Sequence, residues 1–440
     1  MSLTKLCNAI RLMGTPVNIL MKSDGALALD VSNIQASKVK KYPGLPRKMK
    51  IVPATGIDGS LELRPIQAML ELARGTALRC NPLVLVWPAL RYLGVFTKDG
   101  MSALRLDAAA TRFIGPHQRC GLSEELGIGF GILVAKHWCM ERVPGLHFSR
   151  AINVMDVDKA IGKGSVPNLQ KVGRRQPDYL LAYQNPADTP GKITYDLLET
   201  KGTVDESGVK KQLGRAVTQL AGLQLGGQPM TGIAVSTVSN ENKILAKAVD
   251  PDENPFTWTP TDEVLRRWRA REAHLPAKGG AAISASSDLL PENEEFLATA
   301  TNADNAALAA FGGLRKTAEK WLPTLPAIGE TDAETSRELD IGEFVGTECV
   351  IRVSDAEVRV YQGVEKQVAG ALRDLKYSGV VEAQQEFTES IEKLPAPAGT
   401  NNSTFTALAS KVIMSEPSSD LSVAALSPDG SMLQICIKSV

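Results

Sequence analysis

The stretch Gln176–Thr203, QPDYLLAYQNPADTPGKITYDLLETKGT, decides how this chain is read. YLLAY and ITYDLL are apolar runs of strand length, and NPADTPG between them is turn chemistry, so the pattern predicts two strands of one hairpin. Side chains alternate faces along a strand, which puts Ile193, Tyr195, Leu197, Glu199 and Lys201 on one side of the second strand. Folding the hairpin then lays Asp178, where the first strand starts, beside Glu199, where the second nears its end. Two carboxylates and an ammonium converge at one end of a sheet.

Carboxylates that close repel each other unless a proton or a cation sits between them. An all-oxygen site with room for water suits Mg2+ or Mn2+, whose charge can steady a phosphoryl transition state and acidify a bound water. A lysine two residues from one ligand can hold that water or offset charge building on phosphate. A surface ion pair at a hairpin edge would use the same residues and contribute little. Context separates the two.

On either side of the hairpin the elements fall in a definite order. LSEELGIGFGILVAKHWCM predicts a helix capped by Ser123, in which Gly127, Gly129 and Gly131 allow close approach to a sheet. HFSRAINVMDV follows as a strand candidate, then the hairpin. VKKQLGRAVTQLAGLQ predicts a second helix, ended by Gly226 and Gly227, and MTGIAVSTV a buried strand. Residues 121–238 therefore read α-β-β-β-α-β.

Pro177-Asp178 followed by Glu199-Thr200-Lys201, in that element order, resembles the PD-(D/E)XK, or restriction-endonuclease-like, nuclease superfamily over roughly residues 120–240. The resemblance implies an αβββαβ core and a metal-dependent endonuclease that hydrolyses DNA, with RNA as the alternative substrate. Asp178 and Glu199 would bind Mg2+ (or Mn2+), the Thr200 carbonyl would be a third ligand, and Lys201 would position the attacking water. An acid from the first core helix is expected too. Glu125 matches best, with Glu124 as the alternative, although acids in a first turn also simply favour the helix dipole. From the second helix the candidates are Gln219, Gln212 and Lys211, for which a solvated helix face is the ordinary reading.

The whole chain sets further bounds. Its 440 residues are 43% hydrophobic, enough for two or three ordinary cores. Lys plus Arg and Asp plus Glu both number 49, so any nucleic-acid contact needs a local basic patch. One such patch is Lys163, Lys171, Arg174 and Arg175 before Asp178, joined by Lys210, Lys211 and Arg215 after Lys201. Basic runs at 38–50 and 266–271 could extend it, the second with Trp268 to stack on a base, but each reads more simply as solvated surface. His117, Cys120, His137 and Cys139 make a poor zinc set, because His137 and Cys139 would point apart on a helix. The six cysteines lack a CxxC pair, and no long apolar run or leader is evident, so a cytoplasmic protein without a membrane span is expected.

The expected fold is mixed α/β (α+β): an N-terminal α/β region (1–115), the nuclease-like domain (116–275), a linker and helical segment (276–330) and a C-terminal α+β domain (331–440) that closes on an SPDG hairpin. No dinucleotide fingerprint, P-loop, nucleophile elbow or HExxH occurs. A nuclease must be restrained in a cell, which suits restriction or anti-phage defence with a protein partner or a homo-oligomer. The competing class is a catalytically silent scaffold or nucleic-acid-binding subunit of a larger complex.

Overall fold

The computed structural model describes residues 3–41, 49–78, 87–112, 114–146, 152–157, 170–171, 176–225, 228–252, 255–273, 292–323, 325, 335–339, 342–353, 356–394, 411–415 and 420–439. Its main sheet has nine strands: β1 (Val17–Lys22), β2 (Ile51–Val52), β3 (Asp58–Leu63), β4 (Asn153–Asp156), β5 (Tyr179–Tyr183), β6 (Ile193–Thr203), β7 (Gly232–Ser239), β8 (Ile244–Pro251) and β9 (Phe256–Trp258). They run in the order β3-β1-β8-β7-β6-β5-β4, with β9 also on β6 and β2 also on β8. Mixed α/β architecture is what the pattern predicts.

β4, β5 and β6 form an antiparallel meander, in which Tyr179 faces Leu198 and Tyr183 faces Thr194. β7 then lies parallel to β6, pairing Glu199 with Ala234 and Lys201 with Ser236. A parallel neighbour needs a crossover, and α5 (Val209–Leu220) supplies it. The other helices are α1 (Leu3–Gly14), α2 (Gly25–Val39), α3 (Pro65–Gly75), α4 (Pro116–Arg142), α6 (Asp262–Ala273), α7 (Glu292–Phe311), α8 (Arg315–Trp321), α9 (Lys366–Arg373) and α10 (Tyr377–Glu392), besides short ones at Trp87–Arg91 and Ala108–Arg112.

Both faces of the meander are covered, so β5 is buried along its whole length. Tyr179, Leu181 and Leu198 pack with Leu126, Phe130 and Leu133 of α4. Leu180, Tyr195 and Leu197 pack on the other face with Leu213, Ala216 and Val217 of α5. Two glycines of α4 fit it to the sheet: a Cβ on Gly127 would come within 2.7 Å of Gly202 Cα, and one on Gly131 within 2.8 Å of the Thr200 side chain. Gly129 serves a different contact, since its Cβ would meet the Ala68 carbonyl of α3 at 2.3 Å.

Several boundaries differ from expectation. α4 starts at Pro116, with Gly115 as its N-cap, rather than at Ser123; Pro suits a first helical position, and Ser123 lies inside the helix donating to the Cys120 carbonyl at 2.9 Å. α5 stops at Leu220, because Leu223–Leu225 turns into a short strand; Gly226 and Gly227 lie outside the described residues. In the N-terminal region β1 adds to β8 in parallel, Leu20 opposite Leu245, and extends the same sheet. Within 276–330, α7 is core rather than linker, since Phe296, Leu297, Ala300 and Phe311 are fully buried, and 274–291 lies outside the described residues.

The C-terminal sheet is antiparallel, β10 (Thr335–Leu339), β11 (Gly342–Val353), β12 (Ala356–Glu365), β13 (Lys411–Ser415), β14 (Asp420–Leu426) and β15 (Ser431–Ser439), in the order β10-β11-β12-β15-β14-β13. The SPDG turn joins β14 to β15, with Gly430 at φ +89°, a left-handed conformation that favours glycine. This sheet is tied to the rest by buried charge. Arg74 of α3 reaches Asp304 of α7 at 3.5 Å and Asp429 of the turn at 2.8 Å, while Lys136 of α4 meets Glu71 at 2.6 Å.

One buried acid lacks such balance. Burial raises Asp250 of β8 to about 7, Arg142 opposing, and its Oδ1 has no hydrogen-bond partner among the described residues. Its folded value exceeds its ordinary 3.8, so the native state holds the extra proton and stability falls as pH climbs from 3.8 to about 7. Asp250→Asn should remove that fall and gain about 2–4 kcal/mol at about pH 8. Urea midpoints at about pH 5 and about pH 8 check this; the same pH slope in both proteins would contradict it.

Candidate active site

Continuing the β5–β6 register past Tyr179 and Leu198 places Asp178 opposite Glu199. The Asp178 N–H donates to Glu199 Oε2 at 2.8 Å, and Thr200 donates to Asp178 Oδ2 from its N–H at 3.2 Å and its hydroxyl at 3.3 Å. Lys201 Nζ donates to Glu199 Oε1 and lies 3.8 Å from Asp178 Oδ2. Depth is graded: the Glu199 side chain is fully buried, while those of Lys201 and Asp178 are 25% and 27% exposed. Glu199 forms the floor and the other two open to solvent.

Burial, with Asp178 beside it, raises Glu199 well above the usual carboxylate range. Lys201 is also partly buried, which lowers its pKa, but Glu199 and Asp178 outweigh that and raise it. The lysine is therefore an ammonium, a donor rather than a base. The Thr200 N–H points towards Asp178, and the N–H and C=O of a strand residue point the same way, so the Thr200 carbonyl is on the Asp178 edge of β6. Pro177, opposite in the continued register, has no N–H to offer it.

Asp178, Thr200 and Lys201 line a cleft of about 410 Å3 shared with Glu124, Gln212, Arg215 and Gln219, and Glu199 lies buried behind them. Gln219 Nε2 donates to the Gln176 carbonyl at 3.2 Å; Gln212 donates to the Gly202 carbonyl at 3.3 Å and accepts from Ser236 at 2.8 Å. Of the three candidates from the second helix, Gln212 and Gln219 thus face the cleft and Lys211 does not line it. Glu125 does not line it: Arg91 holds its carboxylate at 3.1 Å and the Tyr92 hydroxyl donates to it. One residue along a helix turns a side chain by about 100°, and Glu124 takes the position expected of Glu125.

The basic candidates divide. Arg215 is exposed on the cleft and makes no ion pair with a described residue. Lys211 is exposed on the same helix, and Lys210 pairs with Asp30 at 2.6 Å. Lys163, Arg174 and Arg175 lie outside the described residues, as does the side chain of Lys171. Trp268 is 2% exposed and unavailable for stacking, and Lys50 of the 38–50 run pairs with Asp252.

A feature the sequence reading missed is the demand for Gly202 next to Lys201. A Cβ there would come within 1.7 Å of the Ser123 carbonyl oxygen, so α4 rests directly on the backbone of β6. Gly202→Ala should cost about 1–3 kcal/mol and shift Lys201. Urea unfolding checks this; unchanged stability would contradict the contact.

No family model, curated protein or solved structure matches the chain.

The donor set fits a hard divalent cation. Asp178 and Glu199 offer oxygens, the Thr200 carbonyl lies on the same edge, and an ammonium already lies against both carboxylates as a cation would. Among the described residues no group of three or more His, Cys, Asp or Glu gathers closely enough to hold a metal.

Proposed function

We propose that this chain is a metal-dependent nuclease that hydrolyses phosphodiester bonds of DNA, with a restriction-endonuclease-like core formed by α4, β4, β5, β6, α5 and β7. The observation that carries the reading is Asp178 and Lys201 at one end of a meander, against the buried Glu199 and on an open cleft with Gln212, Arg215 and Gln219. Asp178, Glu199 and the Thr200 carbonyl would hold the metal. When bound, it supplies charge against the phosphate and acidity to a water.

The chain's own groups do the rest. Lys201 stays protonated, so it donates to the oxygen of an attacking water and fixes its approach without removing its proton. Arg215 meets a phosphate oxygen at the exposed side of the cleft, with a planar fork suited to two N–H···O bonds. Gln212 and Gln219 brace the two ends of the site, through the Gly202 and Gln176 carbonyls.

The test is incubation of purified protein with single-stranded, double-stranded and branched DNA and with RNA, each with and without Mg2+ or Mn2+. Cleavage of DNA that needs the metal is the expected result. A second reading, a silent scaffold that binds nucleic acid or protein, is favoured by one fact: both Glu199 oxygens are already engaged, by Lys201 and by the Asp178 N–H. Binding to the panel without any metal-dependent product would select it.

A further inference from the structure

A larger cleft, of about 1160 Å3, opens between α6, α8 and the end of α9. Small-ligand sites typically span about 300–1,000 Å3. In its wall is Arg269, only 9% exposed. Its Nη1 donates to Asn302 Oδ1 at 2.8 Å, its Nη2 donates to the Leu375 carbonyl at 3.0 Å, and its guanidinium lies 4.4 Å from the centre of the Trp321 ring. Every one of these partners is neutral. Arg74, equally buried, is met by two carboxylates instead.

A buried guanidinium whose direct contacts are all neutral is costly: burial and Arg266 lower its pKa against the opposing pull of Asp262, and an anion arriving from outside would relieve that cost. Two of the four acids on the cleft are hydrogen-bonded or ion-paired to other groups. Asp262 Oδ1 accepts from the N–H groups of Tyr377 at 2.6 Å and Ser378 at 3.3 Å, at the start of α10, and Glu263 is shared by Arg266 and Arg267. Lys320 and Lys376 are exposed on the same cleft and form no ion pair with a described residue. Guanidinium carries five N–H donors, and the two bonds above leave others for a ligand.

We propose that this cleft binds a phosphorylated small molecule, whose phosphate oxygens meet Arg269 in the wall and Lys320 and Lys376 at the mouth. Its organic part lies against Ala270, Ala273, Pro323 and Leu375. A compact phosphate suits the site better than a nucleic-acid strand, because Asp262, Glu263, Glu319 and Asp374 also line it and would repel a polyanion crossing it. This site is independent of the nuclease reading, since none of its residues lines the Asp178 cleft.

The test is isothermal titration of the full chain, without metal, using inorganic phosphate, AMP and a short single-stranded oligonucleotide. Wild type and Asp178→Ala should bind AMP equally and more tightly than phosphate. The exposed double variant Lys320→Glu/Lys376→Glu should bind AMP at least about tenfold more weakly, with oligonucleotide binding unchanged, and Arg269→Lys should weaken AMP as well. Because the two lysines are on the surface, that variant keeps the test decisive if Arg269→Lys fails to fold. The proposal is overturned if wild type does not bind AMP, if AMP binds no tighter than phosphate, or if the double variant binds AMP undiminished. Loss confined to Asp178→Ala, or loss of oligonucleotide binding alone in the double variant, overturns it equally.

Discussion

Lys201→Met should cleave DNA about 10²–10³-fold more slowly than wild type while binding Mn2+ at least as tightly. The two halves of this result have one cause. The ammonium lies on Glu199 and near Asp178, so it competes with any cation for the same oxygens. Removing it frees the ligands but takes away the donor that aims the water. Folding survives the change because Glu199, already raised by burial and by Asp178, can take up a proton where the ammonium was. Single-turnover cleavage and calorimetric Mn2+ titration give the two readouts. If metal binding and cleavage fell together, Lys201 would be a structural member of the site and no more.

Arg74→Met should cost about 3–5 kcal/mol, the largest single loss of stability expected in the chain. Methionine fills the space but leaves Asp304 and Asp429 buried without their cation. Burial lifts Asp304 to about 6 even with Arg74 beside it. Asp429 feels the same burial, yet Arg74 and Ser431 hold it down to about 2. A carboxylate held below its ordinary value stabilises above 3.8, and that contribution is lost as pH falls towards about 2. The variant should therefore lose stability at neutral pH and show a weaker acid limb. Adding Asp304→Asn and Asp429→Asn should recover most of the loss, because no buried charge is then left alone. Urea midpoints decide; a cost under about 1 kcal/mol would mean the network behaves like a surface pair.

How much of this was legible beforehand follows from how local each signal is. The hairpin was, because strand alternation puts Tyr195, Leu197, Glu199 and Lys201 on one face and the turn brings Asp178 across to Glu199. The glycines of α4 were partly legible: close approach was expected, but Gly129 turned out to face α3 rather than the sheet. The choice between Glu124 and Glu125 was not, since it depends on the rotation of α4, which Arg91 and Tyr92 help fix from a distant short helix. Nor could the sequence reveal that β1 completes the main sheet. Its partner, β8, is more than two hundred residues away, and no local pattern encodes such a pairing. α7 was hidden for another reason: its run of Ala, Thr and Asn resembles a linker, although small residues are what close packing needs. Trp268 illustrates the converse, an aromatic in a basic run that serves the core.

The most direct measurement compares wild type with Asp178→Asn on supercoiled plasmid in Mg2+ and in chelator. Wild type should nick or linearise the plasmid in Mg2+ only, and Asp178→Asn should leave it intact while unfolding at the same urea concentration as wild type. Equal cleavage by the two proteins, or none by either across Mg2+ and Mn2+, would contradict a metal-holding role for Asp178 and Glu199.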